Sequence, residues 1–159
     1  MPRQHNDGQE IYFEDLDIGD HFISMGRTVT EADLVNFGAL IGWYDPLHCD
    51  AVYAEKTMFE RRIASGLLGL ALSNGLCRGC ISTSLGRAAN MAFLNVSWSF
   101  KKPIFIGDTI HIEQAISEKK ETANPERGLL VLNVSVVNQH DEVVQEGTKT
   151  YLLRRRPGL

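Results

Sequence analysis

The chain has 159 residues, 43% of them hydrophobic and 23% charged, a balance that suits one globular domain spanning residues 1–159. Its 20 acidic and 16 basic residues leave a net charge of −4, which argues against nucleic acid as the main partner because phosphate recognition relies on a basic face. No stretch reaches the roughly 20 apolar residues of a membrane span, and the polar residues 1–10 lack the apolar core of a secretory signal.

Residues 1–10 read as a loose lead-in, continued by residues 11–20 to a turn at Gly19-Asp20. Residues 21–29 predict a first short strand. Thr30 followed by Asp33 is a helix start, since the hydroxyl can cap the first turn and the acids at 31 and 33 suit its positive end. Leu34, Phe37, Leu40 and Ile41 then recur at helical spacing, so residues 31–41 form an amphipathic helix. The segment 42–46 breaks it, and residues 50–56 predict a second short helix with Asp50 as its cap.

Residues 63–81 differ in kind. Leu67, Leu68, Leu70, Leu72 and Leu76 surround the whole helical circumference, the pattern of a helix buried on all sides. Gly66, Gly69, Gly75 and Gly79 would each cost roughly 1 kcal/mol in an exposed helix, so their expected use is to let a sheet approach closely. Cys77-Arg78-Gly79-Cys80 spells C-x-x-C, but it falls late in the apolar run, away from the helix N-terminus that lowers a thiol pKa, and no second pair completes a zinc site. Two core cysteines are expected there. Three cysteines, an odd number, fit a reducing cytoplasm better than a secreted disulfide scaffold.

After a loop at 83–87 the period switches to two. Leu94, Val96, Trp98 and Phe100 alternate with polar residues, as in a half-buried strand ended by Pro103. Residues 109–119, 128–138 and 142–153 predict three more strands, separated by turn formers at Asn124-Pro125 and His140-Asp141. One long buried helix followed by four antiparallel strands predicts an α+β, hot-dog arrangement in which the sheet wraps around the helix. The strands leave edges that need pairing or cover, so a homodimer is expected.

Three segments carry a further signal: residues 26–37, Gly-Arg-Thr-Val-Thr-Glu-Ala-Asp-Leu-Val-Asn-Phe; residues 45–50, Asp-Pro-Leu-His-Cys-Asp; and residues 100–109, Phe-Lys-Lys-Pro-Ile-Phe-Ile-Gly-Asp-Thr. Together they resemble the MaoC-like (R)-specific enoyl-CoA hydratases, whose active-site loop usually reads Gly-Asp-x-Asn-Pro-Leu/Ile-His-x-Asp. The resemblance implies a hydro-lyase that adds water reversibly to an enoyl thioester of coenzyme A or a carrier protein, giving the (R)-3-hydroxyacyl product. It implies no metal and no cofactor beyond that thioester carrier. His48 matches the family histidine, and an imidazole suits proton transfer near neutral pH. Gly66 matches the glycine whose N–H forms the oxyanion hole, a role that a helix N-terminus suits on its own physics.

The departures are as specific as the matches. Trp43 stands where the family has its catalytic aspartate, and an indole cannot accept a proton. Asp45, two residues on, is a candidate replacement carboxylate, although Pro46 biases its backbone toward an extended form and an Asp-Pro turn is its other role. Asn74 replaces a serine near the catalytic pair, and Ser65 replaces the histidine before Gly66. Trp43 and Tyr44, with Ser65 and Asn74, are the expected substrate-binding residues. His48 with Asp45 and Asp50 makes too poor a cage for a metal. The basic pairs Arg61-Arg62 and Lys101-Lys102, and the run 154–156, suit either solvent or the phosphates of coenzyme A. Two rivals remain: a thioester-binding protein that has lost the chemistry, favoured by Trp43, and a thioesterase, against which the hydratase-type loop argues.

Overall fold

The computed structural model describes residues 11–76 and 89–158. A 3-10 turn, Phe13–Asp15, precedes strands β1 (His21–Ile23) and β2 (Arg27–Thr28). Helices α1 (Glu31–Ile41), α2 (Pro46–Cys49), α3 (Ala51–Ala54) and α4 (Gly66–Gly75) follow, then strands β3 (Asn90–Phe100), β4 (Thr109–Glu121), β5 (Arg127–Val137) and β6 (Val143–Arg154). The strands form one antiparallel sheet in the order β1-β4-β5-β6-β3, with β2 also paired to β4.

The inner face of the sheet follows from the period of two. Ile110, Ile112 and Ile116 on β4 alternate with half-buried residues, as do Leu130, Leu132 and Val134 on β5. Leu68 and Leu72 of α4 join the same buried cluster, so the helix packs on this face. Two polar groups from β6 reach up to it: Gln145 Nε2 donates to the carbonyl of Gly66 at 3.1 Å, and Lys149 Nζ donates to Ser73 Oγ at 2.8 Å. The hot-dog arrangement is therefore present, and its helix lies lengthwise over β6.

Helix α1 spans the predicted residues because its ends are coded locally. Thr30 accepts the backbone N–H of Asp33 while Asp33 accepts that of Thr30, and Gly42 closes the helix in the left-handed region at φ 70°. The single strand expected over 21–29 is instead two. Ser24 interrupts it: its hydroxyl accepts the Ile112 N–H while its own N–H goes to the Ile112 carbonyl, so a side chain replaces a ladder rung. The strands expected at 109–119, 128–138 and 142–153 appear within two residues of those limits, and β3 begins earlier than the alternation starts.

The expectation for residues 63–81 changes in two ways. Ile63 belongs to a bridge with Phe105 rather than to the helix, so α4 starts at Gly66. Its burial is also one-sided in the chain alone: Leu68, Gly69, Leu72 and Ser73 are buried, whereas Leu67, Ala71 and Asn74 are exposed. An apolar circumference reports what the helix can bury, not what one chain supplies to cover it. The C-x-x-C at 77–80, the end of that expected helix, the loop at 83–87 and the lead-in 1–10 lie outside the described residues. No helix among the described residues is long and apolar enough to cross a membrane.

Candidate active site

The loop after α1 is shaped by short helices with their own caps. Asp45 is the N-cap of α2, its carboxylate accepting the Leu47 N–H at 2.9 Å, and Pro46 occupies the first helical position where a missing N–H costs nothing. This single turn carries His48. Asp50 then caps α3 through the Tyr53 N–H at 3.0 Å, as its sequence position predicts. The break expected at 42–46 and the helix expected at 50–56 thus resolve into two capped turns, and the Asp45-Pro46 pair is the signal that announces the first.

His48 is oriented from the segment leading into α4. Its Nδ1 lies 2.9 Å from the carbonyl oxygen of Ile63. A carbonyl can only accept, so Nδ1 donates in this bond, and in the neutral imidazole the lone pair then sits on Nε2. Ile63 is itself held on both sides, by its bridge to Phe105 and by its N–H to the Leu47 carbonyl at 3.4 Å. The Ala64 N–H bonds the Ile104 carbonyl at 2.8 Å, which delivers the chain to Ser65 and the start of α4. Arg62, just before, grips both carboxylate oxygens of Glu31 on α1, and its hydrogen bonds hold the Glu31 carboxyl below its ordinary pKa.

These elements enclose a cleft of about 640 Å³, within the usual range for small-ligand sites. Trp43, His48, Ser65, Gly66, Phe100 and Gln145 all line it. Lys101 and Lys102 lie at its rim in exposed ion pairs with Glu146 and Glu142. Trp43, His48 and Ser65 also wall a second, apolar hollow of about 10 Å³ against Leu34 and Phe37. Trp43 meets the His48 ring edge-on, with centroids 6.2 Å apart and planes at 73°. Gly66 has a packing reason to be glycine, since a Cβ there would lie 2.8 Å from the Phe100 ring.

The structure brings together four of the seven residues singled out from the sequence: Trp43, His48, Ser65 and Gly66. The Asp45 carboxylate serves as a helix cap; among the described residues its carbonyl accepts the His48 backbone N–H at 2.9 Å, but no side-chain hydrogen bond or ion pair joins the carboxylate to the His48 ring. Asp45→Asn is therefore expected to leave activity within about threefold of wild type and the melt unchanged, because Asn caps a helix as well as Asp does. A rate loss of 100-fold with an intact melt would give Asp45 a chemical role. Tyr44 is 66% exposed and does not line the cleft. Asn74 is also away from the cleft lining, its side-chain oxygen taking a hydrogen bond from Lys149. The sequence reading missed Gln145, Phe100, Met58 and Phe59. A glutamine in the apolar strand segment Val143-Val144-Gln145 was the available signal for the first of them.

A curled antiparallel sheet with one helix across its inner face, and a loop histidine opening on that helix's first turn, defines a hot-dog protein. Residues 16–138 match the MaoC like domain family, and the chain belongs to it. It is 35% identical over 99 residues to the (R)-specific enoyl-CoA hydratase of Rhodospirillum rubrum, an alignment covering 62% of this chain and 65% of that protein's length. Among solved structures it superposes on a monoamine oxidase regulatory protein from Archaeoglobus with a TM-score of 0.86 at 32% identity, covering 93% of this chain and 97% of that one. A MaoC-like dehydratase from Rhodospirillum rubrum gives a TM-score of 0.80 at 26% identity, covering 92% and 99%.

Proposed function

We propose that the protein is a hydro-lyase that hydrates an enoyl thioester of coenzyme A or a carrier protein to the (R)-3-hydroxyacyl thioester, reversibly, in the cytoplasm. The observation that carries this reading is the pairing, across one cleft, of a histidine with a free Nε2 lone pair and the N-terminal turn of α4. Nε2 takes a proton from water as its oxygen bonds the β carbon. The C=C electron pair moves onto the thioester oxygen, where the Gly66 N–H and the positive helix end stabilise the enolate. The enolate then collapses, and the α carbon takes its proton from the imidazolium. With Trp43 in the family's acid position and Asp45 capping α2, His48 performs both transfers. Water, base and hole balance the reaction, so no separate cofactor is invoked. The rim lysines suit the phosphates of the carrier, since exposed pairs such as Lys101–Glu146 are weak enough to exchange.

The wild type is expected to bleach the absorbance of a conjugated enoyl-CoA without releasing thiol. Thiol release would make it a thioesterase. Binding of the thioester with no turnover would make it a carrier, the reading that Trp43 favours. We further propose a homodimer: β3 ends the sheet order, and Phe93, Leu94, Val96 and Phe100 on it, with Leu67 on α4, are exposed in one chain. Light scattering at micromolar concentration is expected to give twice the 17.8 kDa chain mass, and a stable monomer would count against this assembly.

A further inference from the structure

Beneath the first turn of α4 lies a polar contact that the hydration chemistry leaves unused. Gln145 on β6 is 2% exposed, lines the cleft, and donates from Nε2 to the Gly66 carbonyl at 3.1 Å. Its Oε1 accepts the indole N–H of Trp98 at 3.0 Å. These two partners fix the amide's orientation, because an indole N–H only donates and a carbonyl only accepts. Gln145 pairs across the ladder with Phe100, whose ring lies against Gly66. Gly66 is thus bracketed by two neighbours on one cross-strand rung.

Two other glycines make room for this arrangement. A Cβ on Gly69 would stand 2.3 Å from Gln145 Nε2, and one on Gly147 would stand 2.6 Å from the Trp98 ring. Meanwhile α4 lacks the device that fixes α1, α2 and α3, since Ser65 makes no side-chain capping bond. We propose that Gln145 is a positioning residue: with Trp98 orienting its amide, it anchors the Gly66 carbonyl, in the peptide plane shared with Leu67, and so restrains Gly66 with its adjoining N–H where a thioester oxygen must lie. The proposal rests on the reading of Gly66 as the oxyanion donor.

The test uses the full chain with crotonyl-CoA as probe, and follows backbone amide resonances by NMR. Gln145→Leu is expected to lower kcat about 10- to 100-fold, the scale of a small misplacement, with KM changed much less. It should also move the Gly66 and Leu67 amide resonances while those of β4 and β5 stay in place. Trp98→Phe keeps an aromatic ring while removing the N–H and part of the indole, and is expected to cause a smaller fall in kcat with the same two resonances moved. A folded Gln145→Leu with wild-type kcat overturns the proposal. So do unmoved Gly66 and Leu67 resonances in that variant. If Gln145→Leu does not fold, Trp98→Phe decides by the same two criteria. An enoyl-CoA that the wild type does not hydrate brings down the hydratase reading alone. The anchoring role is then decided by the Gly66 and Leu67 resonances.

Discussion

Replacing His48 with alanine is expected to lower enoyl-thioester hydration about 100-fold or more, the usual scale for a general acid and base. The histidine also has a structural bond, Nδ1 to the Ile63 carbonyl at 2.9 Å, and alanine removes that too. A net loss of about 1 kcal/mol in stability is the ordinary consequence of such a bond. His48→Asn separates the two roles, because its amide nitrogen falls near the position of Nδ1 and can still donate to Ile63. The asparagine variant should melt close to wild type and remain as inactive as the alanine variant. Retention of wild-type turnover in either variant would reduce His48 to a loop anchor and remove the base from the proposed reaction.

The second large effect is on stability. Gly147 lies on β6 opposite Trp98 on β3, and a Cβ there would stand 2.0 Å from the Ser97 carbonyl oxygen. That neighbour is backbone within the ladder, so it has no rotamer with which to escape. Gly147→Ala should therefore cost about 1–3 kcal/mol, the range for overpacking a tight site. The melting temperature should fall by about 2–4 °C for each of those kcal/mol. Thermal denaturation followed by far-UV circular dichroism checks this, and an unchanged melt would mean that β3 gives way without loss. At Gly107 and Gly19, turn positions with open space and positive φ, the objection to alanine is backbone conformation rather than crowding.

Strands β4, β5 and β6 were legible in the sequence because turn formers mark their ends. The alternation read on β3 marked a strand correctly but not its burial, since Leu94, Val96 and Phe100, expected on a half-buried face, are exposed in one chain. Helix α1 was legible for a related reason: both of its caps sit within its own segment. The cleft lining was legible only where the family resemblance reached it, at Trp43, His48, Ser65 and Gly66. What the sequence could not show were relations between distant positions. The Nδ1 bond of His48 spans 15 residues and the Gln145 bond to Gly66 spans 79, so each exists only once the topology has brought the segments together. Asp45 illustrates the converse. Its place two residues from Trp43 in the same loop suggested a replacement carboxylate, whereas in the fold that carboxylate accepts the Leu47 N–H and caps α2. Asn74 was placed by the family pattern and Tyr44 by its bulk beside Trp43, and neither reaches the cleft lining.

The uncommitted hydroxyl of Ser65 bears on how this protein can change over generations. Thr30, Asp45 and Asp50 are each tied to the helix they start, so altering them costs about 1 kcal/mol of stability. Ser65 makes no such bond, yet it lines both the cleft and the smaller hollow beside it. Exchanging its hydroxyl for a group of similar size breaks no cap, although Ser65 is buried and larger side chains must displace neighbours. Under the proposed hydratase reading, Ser65 is accordingly a place where ligand preference can shift before the fold has to be repaired.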